Sequence, residues 1–158
     1  MKVFFDTNIL IDFLAEREPF VDDAALILGM CEQKEISGCF TALSACNIVY
    51  VLRKSFDGGE LRNRVTELSE ILEMIDTRSV EVKAALTSGD SDFEDAVQRI
   101  CAEENSVDVI ITRDKTGFAS KKISVMNPTE FIDKIEAGCP GFHFVNTNQG
   151  EKANEQTA

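Results

Sequence analysis

The stretch KVFFDTN, at residues 2–8, sets the architecture of this chain. Its apolar half is typical of a short buried strand, and the carboxylate of Asp6 follows that strand directly. DVIITRD, at residues 108–114, has the same pattern, in which Asp114 closely follows a second apolar run. Because parallel strands end at one edge of an open α/β sheet, where such folds bind ligands, we expect both carboxylates at that edge.

Strand-like and helix-like patterns alternate along the chain, which predicts an α/β fold with a central, mostly parallel sheet flanked by helices. Asn8 is suited to cap the first helix. The nearly continuous apolar residues from Leu43 to Leu52 predict a buried helix. Ser91 and Glu94 have the spacing of a capping box, which predicts a helix that begins at Asp92. Further strands are predicted around residues 39–40, 74–76, 107–112 and 123–126, and a last helix at residues 129–137.

The composition of the chain changes near residue 138. Residues 1–137 have the mixture of apolar and charged residues of a globular domain, whereas residues 138–158 are rich in Gly, Asn, Gln, Thr and Glu. We therefore expect one domain at residues 1–137 and a polar C-terminal tail at residues 138–158 that is largely disordered.

The overall composition is that of an ordinary soluble protein, with 158 residues, of which 44% are hydrophobic and 28% charged. The N-terminal apolar run is too short for a signal peptide, and no stretch reaches the length of a membrane span. The five cysteines are odd in number and form no CxxC pair, so reduced thiols in a cytoplasmic protein are expected. A single histidine, His143, gives little support to a zinc site or a Ser-His-Asp set.

The net charge of −12 disfavours a protein that coats nucleic acid, because phosphate binding depends on positive charge. It does not exclude an enzyme that approaches nucleic acid through bound metal ions, which reverse the local sign of the charge. Basic residues cluster around Asp114 and beside the Gly58-Gly59 turn, where a solvated surface explains them about as well as substrate contact. These residues are Arg113, Lys115, Lys121 and Lys122, and Arg53, Lys54, Arg62 and Arg64.

A third acidic signal is SDFEDAVQ, at residues 91–98, which opens a predicted helix. Asp92 and Asp95 lie three residues apart and therefore share one face of that helix. Acids in a first helical turn also interact favourably with the helix dipole, so a purely structural role explains them as well. If the N-terminus of the helix points at the sheet edge, one or both carboxylates reach those of Asp6 and Asp114.

Carboxylates that converge in this way repel one another unless a hard divalent cation neutralises them. The sequence therefore predicts a Mg²⁺ or Mn²⁺ site formed by Asp6, Asp95 and Asp114. Thr7 and Thr112 are short hydroxyl neighbours of this site and can hold a carboxylate or a water in place. Turn and strand propensity explain the two threonines equally well.

Together these segments resemble the PIN domain family. The family pattern begins with an Asp in a D-x-N stretch, present as DTN at residues 6–8, and continues with a helix start such as DFEDA at residues 92–96. It closes with a T-x-D segment followed by Phe, present as TRDKTGF at residues 112–118, and with the strand and helix SVMNPTEFI. The ordered set spans about residues 1–136 and is more specific than any of its motifs alone.

The resemblance implies a PIN-like fold and a Mg²⁺- or Mn²⁺-dependent ribonuclease that hydrolyses phosphodiester bonds. Small stand-alone PIN proteins are commonly VapC-type toxins of toxin–antitoxin pairs, so an RNA substrate, an antitoxin protein and a homodimer are the expected partners. Asp6, Asp95 and Asp114 match the catalytic, metal-binding acids of the family. Asn8, in the D-x-N stretch, is expected to support them beside the metal.

One position departs from the family pattern. Asn47, in the helix ALSACNIVYVL, stands where the family usually carries an acid, and its amide offers a metal an oxygen but no charge. Asp92 is a candidate for the missing carboxylate, and Asn47 itself remains a candidate ligand.

Two other functions stay open at this point. The first is a degenerate PIN module that binds RNA or a protein partner without efficient catalysis. The second, from another class, is a phosphoacceptor receiver domain, which also uses acids at strand ends and a lysine. That domain would need an acidic pair after the first strand and an Asp after the third, and neither is convincing in this sequence.

Overall fold

The computed structural model of the protein describes residues 1–138. Residues 139–158, which make up nearly all of the predicted tail, lie outside the described residues. The division of the chain into a domain at residues 1–137 and a tail therefore stays a prediction.

A central sheet organises the described chain. Its strands are β1 (Lys2–Phe5), β2 (Ser37–Thr41), β3 (Glu73–Ile75), β4 (Val109–Ile111) and β5 (Ser124–Met126). The five strands lie in the order β3-β2-β1-β4-β5, and all four pairings are parallel. The predicted α/β fold with a central parallel sheet is confirmed.

Helices connect the strands except between β4 and β5, which residues 112–123 join without a helix. Parallel pairing requires such long connections, because the chain must cross back before the next strand can pair. Within residues 1–138 the helices are α1 (Thr7–Leu14), α2 (Val21–Glu32), α3 (Ala42–Leu52), α4 (Gly58–Ile71), α5 (Ser79–Ser88), α6 (Phe93–Glu104) and α7 (Pro128–Glu136). In this part of the chain, no helix is both long and apolar enough to cross a bilayer.

Strand β1 is buried on both faces, as the centre of a parallel sheet should be. Val3 and Phe5 pack into an apolar cluster with α1, α2, α3, α4 and α7, whereas Phe4 packs into a second cluster with α5 and α6. Each fully buried phenylalanine stabilises the fold by about 1.5–3 kcal/mol. The two layers therefore hold β1 and β4 firmly, and with them the points at which Asp6 and Asp114 leave the sheet.

Two helices begin differently from the sequence-based expectation. Asp6, not Asn8, caps α1, because Asp6 Oδ1 accepts the backbone N–H of Asn8 at 3.3 Å. Asp92 lies outside α6 as its cap, and its Oδ1 accepts the N–H of Asp95 at 3.1 Å. In both places the cap is a carboxylate rather than the neighbouring amide or hydroxyl, because an ionised oxygen accepts the stronger hydrogen bond.

Helix α3 is less buried than its nearly continuous apolar sequence suggests. Its buried residues are Ser44, Ile48 and Leu52, at four-residue spacing, whereas Tyr50 is 65% exposed. The prediction of a buried helix was therefore wrong, since one stripe of α3 contacts the core and the opposite face meets solvent.

The cysteines of the described chain are free thiols. Cys31, Cys39 and Cys101 are buried, and Cys46 is exposed. Burial raises the pKa of both Cys31 and Cys39 to about 12, so these thiols stay protonated and behave as small apolar side chains. Cys139 lies outside the described residues.

Candidate acidic site at the carboxyl edge of the sheet

Asp6 leaves the sheet at the end of β1 and is buried, with 1% of its surface exposed. The hydroxyl of Thr112 donates to Asp6 Oδ2 at 2.8 Å. Burial raises the pKa of Asp6 to about 6, against the lowering effect of the hydrogen bonds from Thr112 and the Asn8 backbone. This carboxylate is therefore held in one orientation while its charge is poorly solvated.

Asp114 lies beyond the end of β4, the strand that pairs directly with β1. Its backbone N–H donates to the hydroxyl oxygen of Thr112 at 2.9 Å. Its Oδ1 accepts the backbone N–H groups of Thr116 and Gly117 at 3.0 and 3.2 Å. Thr112 thus links Asp6 and Asp114, and the loop after β4 turns around the Asp114 carboxylate.

Asp95 lies in the first turn of α6 and is half-buried. Its pKa is raised to about 7, first by burial and then by the negative charges of Asp6, Asp92, Asp114 and Glu94. Because Coulomb repulsion falls with distance, these contributions indicate that the first turn of α6 lies near the ends of β1 and β4. The fold thus gathers acids whose sequence positions span more than a hundred residues.

Gly117 marks the point where Asp95 and Asp114 approach the same segment of backbone. A Cβ atom on Gly117 would lie 2.2 Å from Asp95 Oδ2 and 3.3 Å from Asp114 Oδ2. The first distance is too short for any side chain, so only glycine leaves the Asp95 carboxylate in its place.

A buried network of polar side chains links α1, α3 and α6 next to the site. Thr7 Oγ1 lies 2.9 Å from Ser44 Oγ and 3.1 Å from both Glu94 Oε1 and Gln98 Oε1. The Ser44 hydroxyl also donates to Gln98 Oε1 at 3.2 Å, and the Gln98 amide donates to Glu94 Oε1 at 3.3 Å. The network ties α1, α3 and α6 together, so the helices that carry the acids are fixed relative to one another.

The sequence predicts no role for Ser44 or Gln98, and it predicts a capping box for Glu94, which instead contacts Thr7 and Gln98. Their available signal was the four-residue spacing of Glu94 and Gln98, which places both polar side chains on one face of α6. The local sequence predicts metal ligands among the acids of residues 92–95. The contact of Glu94 with Thr7 is not predictable in this way, because it depends on how α6 packs against α1.

The remaining predicted residues lie around this centre. Asp92 is exposed and caps α6, with its Oδ1 engaged by the Asp95 backbone. Asn8 is exposed and contributes its backbone N–H to Asp6. Asn47 lies three residues after Ser44 on α3, on the same side of the helix as the polar network. Asn47 is only half-buried, so solvent can satisfy its amide and burial gives no argument for a ligand role.

The donor set fits a hard divalent cation in its chemistry. Mg²⁺ and Mn²⁺ prefer carboxylate oxygens, and among residues 1–138 no arginine or lysine forms a salt bridge with Asp6, Asp95 or Asp114. In the same part of the chain, however, no group of three or more Asp, Glu, His or Cys side chains is already placed to hold a metal ion. The fit is one of donor type and uncompensated charge, and side-chain rotation would have to complete the coordination.

The fold and the site together define a parallel α/β domain with an acidic, metal-compatible centre at the carboxyl edge of its sheet. The family model of the PIN domain matches residues 2–116. The chain belongs to the PIN domain family. This membership leaves the receiver-domain alternative without support. A sequence comparison with curated proteins gave no significant match.

Solved structures of toxin–antitoxin complexes have a similar fold. One is VapBC2 from Rickettsia felis bound to a DNA fragment from its promoter, with a TM-score of 0.60 and 14% identity over 80% of this chain and 98% of the other. Another is a toxin–antitoxin complex from Klebsiella pneumoniae, with a TM-score of 0.59 and 19% identity over 80% of this chain and 97% of the other. DNA-bound VapBC from Salmonella typhimurium gives a TM-score of 0.59 and 14% identity over 81% and 98%. At these identities the similarity establishes the shared fold.

Proposed function

We propose that the protein is a divalent-metal-dependent ribonuclease that hydrolyses phosphodiester bonds, with Asp6, Asp95 and Asp114 as its metal-binding catalytic acids. One observation carries this proposal. Asp6 and Asp114 leave neighbouring parallel strands and are linked through Thr112, and the Asp95 and Asp114 carboxylates both approach Gly117, yet no cationic side chain within residues 1–138 forms a salt bridge with any of the three acids. Such an arrangement is costly to a fold unless a cation from solution occupies it.

The residues of the chain have distinct tasks in this proposal. Asp6, Asp95 and Asp114 would hold Mg²⁺ or Mn²⁺, with Asp92 or Asn47 as further oxygen ligands. When bound, the cation supplies Lewis-acid activation of a water and stabilises negative charge on the phosphate. No protein nucleophile is required for this chemistry.

The surrounding hydrogen bonds keep the acids in position. Thr112 orients Asp6 through its hydroxyl and receives the N–H of Asp114 on the same oxygen. Thr7 holds α1 against α6 through Gln98. These hydrogen bonds limit how far the carboxylates would have to rotate to complete the coordination.

Partners follow from family membership and from the similar structures. Their descriptions name toxin–antitoxin complexes, two of them bound to DNA. We infer that this chain is the toxin of such a pair, that it acts on RNA in the cytoplasm, that an antitoxin protein binds it, and that it forms a homodimer.

The direct test is a cleavage assay on labelled single-stranded RNA, with Mn²⁺ and with chelator. Cleavage is expected only with the metal, and Asp95→Asn should abolish it. Asp90→Asn is the matched control, because Asp90 lies five residues away and pairs with Arg99. Cleavage in chelator, or full activity of Asp95→Asn, would contradict the proposal.

A second function is favoured by two observations: the amide of Asn47 stands where the family carries an acid, and the carboxylates of the described chain are not preassembled for metal. In this alternative the protein is a degenerate PIN module that binds RNA or a protein partner without efficient catalysis. Mn²⁺-dependent RNA binding without cleavage would select it.

A further inference from the structure

A cleft of about 390 Å³ is lined in part by Arg113, the residue before Asp114, and the proposed reaction makes no use of it. It lies between the loop that joins α1 to α2 and the start of α7. Apolar and polar groups share its lining, which is typical of small-molecule sites that orient a ring with a few polar contacts. The residues relevant here are Ile9, Phe20, Asp23, Arg113, Asn127 and Thr129.

One wall of the cleft is a stacked pair of flat groups. The guanidinium of Arg113 lies over the ring of Phe20, at 4.1 Å from the ring centre. Phe20 is 38% exposed, in contrast to Phe4, Phe5 and Phe40, which are buried completely. Unpaired nucleobases stack on aromatic rings and on arginine planes of this kind.

Arg113 is held in this position by a buried acid. Its Nε lies 2.8 Å from Asp12 Oδ2 and its Nη2 donates to Asp12 Oδ1 at 3.3 Å. Asp12 has no exposed surface, and Arg17 Nη1 lies 3.7 Å from Asp12 Oδ1. Loss of Arg113 would deprive this buried carboxylate of its nearest cation, so the ion pair with Asp12 holds the Arg113 guanidinium over Phe20.

The cleft and the acidic site share one edge of the sheet. Arg113 stands between Thr112, which donates to Asp6, and Asp114. Asn127 follows β5 directly, at the neighbouring strand end. Arg113 is the residue before Asp114 in the chain, so a group bound against Arg113 lies at the same edge of the sheet as the acidic site.

The rim of the cleft offers polar groups to the edge of a ring. Thr129 donates its hydroxyl to Asp23 Oδ2 at 2.5 Å, so this carboxylate is already oriented. Asn127 accepts the N–H of Glu130 through its Oδ1, which fixes the side chain at the start of α7. Hydrogen-bonding groups beside a stacking surface suit the edge of a base better than a purely apolar side chain.

We propose that this cleft binds one unpaired nucleobase of the RNA substrate, stacked on Phe20 and Arg113, next to the phosphate that is cut at the acidic site. The proposal rests on the proposed ribonuclease function, because RNA is the occupant. It assigns the protein a preference for single-stranded RNA, since a base inside a duplex cannot enter such a cleft.

The test measures binding, not cleavage. A fluorescent tetraribonucleotide and the same tetramer built from abasic riboses are titrated by anisotropy, with Ca²⁺ in place of Mg²⁺ to neutralise the carboxylates and a gel to confirm intact RNA. The wild-type protein should bind the base-bearing tetramer about 5- to 150-fold more tightly, which is the usual contribution of one stacked base. Phe20→Ala should lose most of that preference and leave the affinity for the abasic tetramer unchanged.

Two further variants separate stacking from charge and from folding. Arg113→Lys keeps a cation beside Asp12 but removes the flat surface, and it should also reduce the preference. Tyr50→Ala is the matched control, because Arg53 stacks over Tyr50 at 3.7 Å outside the cleft lining, and it should keep the full preference. Thermal melts establish that each variant is folded.

The proposal is overturned if the wild type binds both tetramers equally, if it binds neither, or if Phe20→Ala retains the preference. If the protein shows no preference for bases and the antitoxin shields Phe20 from solvent, the cleft is a binding site for the protein partner instead. Base preference without cleavage in Mn²⁺ would uphold this inference and reject the ribonuclease. Cleavage without base preference would do the reverse.

Discussion

Acids along the α6 segment have opposite electrostatic surroundings. Arg99 binds Asp90 at 2.6 Å and Glu103 at 3.2 Å, and Lys122 also lies 3.2 Å from Glu103. The pKa of Asp90 is lowered by hydrogen bonds from Ser88 and Arg99. The pKa of Glu103 is lowered as well, since its hydrogen bonds outweigh the raising effect of burial. These acids are neutralised by the chain itself.

Asp95, in contrast, has neighbours of its own sign and a pKa raised to about 7 by burial and by those charges. The same segment therefore carries acids that belong to the structure and acids that have no counterion among residues 1–138. Acids of the second kind point to a ligand, because a fold gains nothing from holding them together. The following predictions depend on this difference.

The largest expected effect concerns metal binding at Asp114. Saturating Mn²⁺ at one hundred times its dissociation constant should stabilise the wild-type fold by about 2.7 kcal/mol. Asp114→Asn should lose most of this gain and all cleavage. Glu103→Gln should keep both, although its lost pairs with Arg99 and Lys122 lower the melting temperature in chelator. Thermal melts with and without Mn²⁺ measure the gain, and equal gains in both variants would mean that the ion acts by general screening.

Gly117→Ala is expected to weaken Mn²⁺ binding and to have little effect on the packing of the core. The new Cβ would lie 2.2 Å from Asp95 Oδ2, so the carboxylate must rotate away. We expect a loss of about 10- to 100-fold in Mn²⁺ affinity, the range found when groups around a metal are disturbed. Calorimetric titration measures this change.

Gly29→Ala is the control for that substitution. Nothing lies within 4 Å of a Cβ at Gly29, which is inside α2. The helix should gain up to about 1 kcal/mol of stability from alanine, with no change in Mn²⁺ affinity. Loss of affinity in both variants would show that the Gly117 effect is not local to Asp95.

Asn47→Glu is expected to have a smaller effect of favourable sign. If Asn47 reaches the acidic site, the added carboxylate should tighten Mn²⁺ binding by about tenfold, or ~1.4 kcal/mol. Because Asn47 is half-buried rather than enclosed, the fold should tolerate the charge. Cys46→Glu adds the same charge at an exposed position of α3 and should leave Mn²⁺ affinity unchanged. Unchanged affinity in Asn47→Glu would remove Asn47 from the site.

The smallest effect is a difference in pH dependence measured in chelator. The pKa of Asp95 is raised from 3.8 to about 7, so its contribution to stability is present below 3.8 and is lost as pH rises through about 7. Asp95→Asn should therefore become more stable relative to wild type as pH rises across that interval. The pKa of Asp90 is lowered, so its effect on the pH dependence of stability has the opposite sign. Asp90→Asn should therefore become less stable relative to wild type as pH rises through 3.8. Urea unfolding at several pH values tests both, and parallel curves for the two variants would contradict the comparison.

Strand ends were the most predictable part of this protein. An apolar run followed by Asp6, and a second run before Asp114, needed only the rule that buried parallel strands end at one edge. The α/β class and the parallel sheet followed from the same runs and from the helices between them. Helix starts were less predictable, because Asp6 and Asp92 compete with Asn8 and Ser91 for the same orphan N–H groups.

The exposure of α3 and the network around Thr7 were not predictable from local pattern. Ser44, Glu94 and Gln98 are ordinary polar residues in their own segments, and no spacing in the chain relates Ser44 to Glu94. Their contacts depend on the angle at which α3 and α6 meet α1. Likewise, the pairing of Arg113 with Asp12 joins residues 101 positions apart.

The sequence by itself determined the family, the class of fold and the acids at the strand ends, because short-range periodicity and direct succession along the chain encode them. Only the tertiary structure decided which acids lack a counterion within the described residues, which residues support them and where Phe20 and Arg113 line a cleft. The physical reason is that burial and Coulomb interactions depend on distance in space, and the helix packing that sets those distances is not written in any one segment.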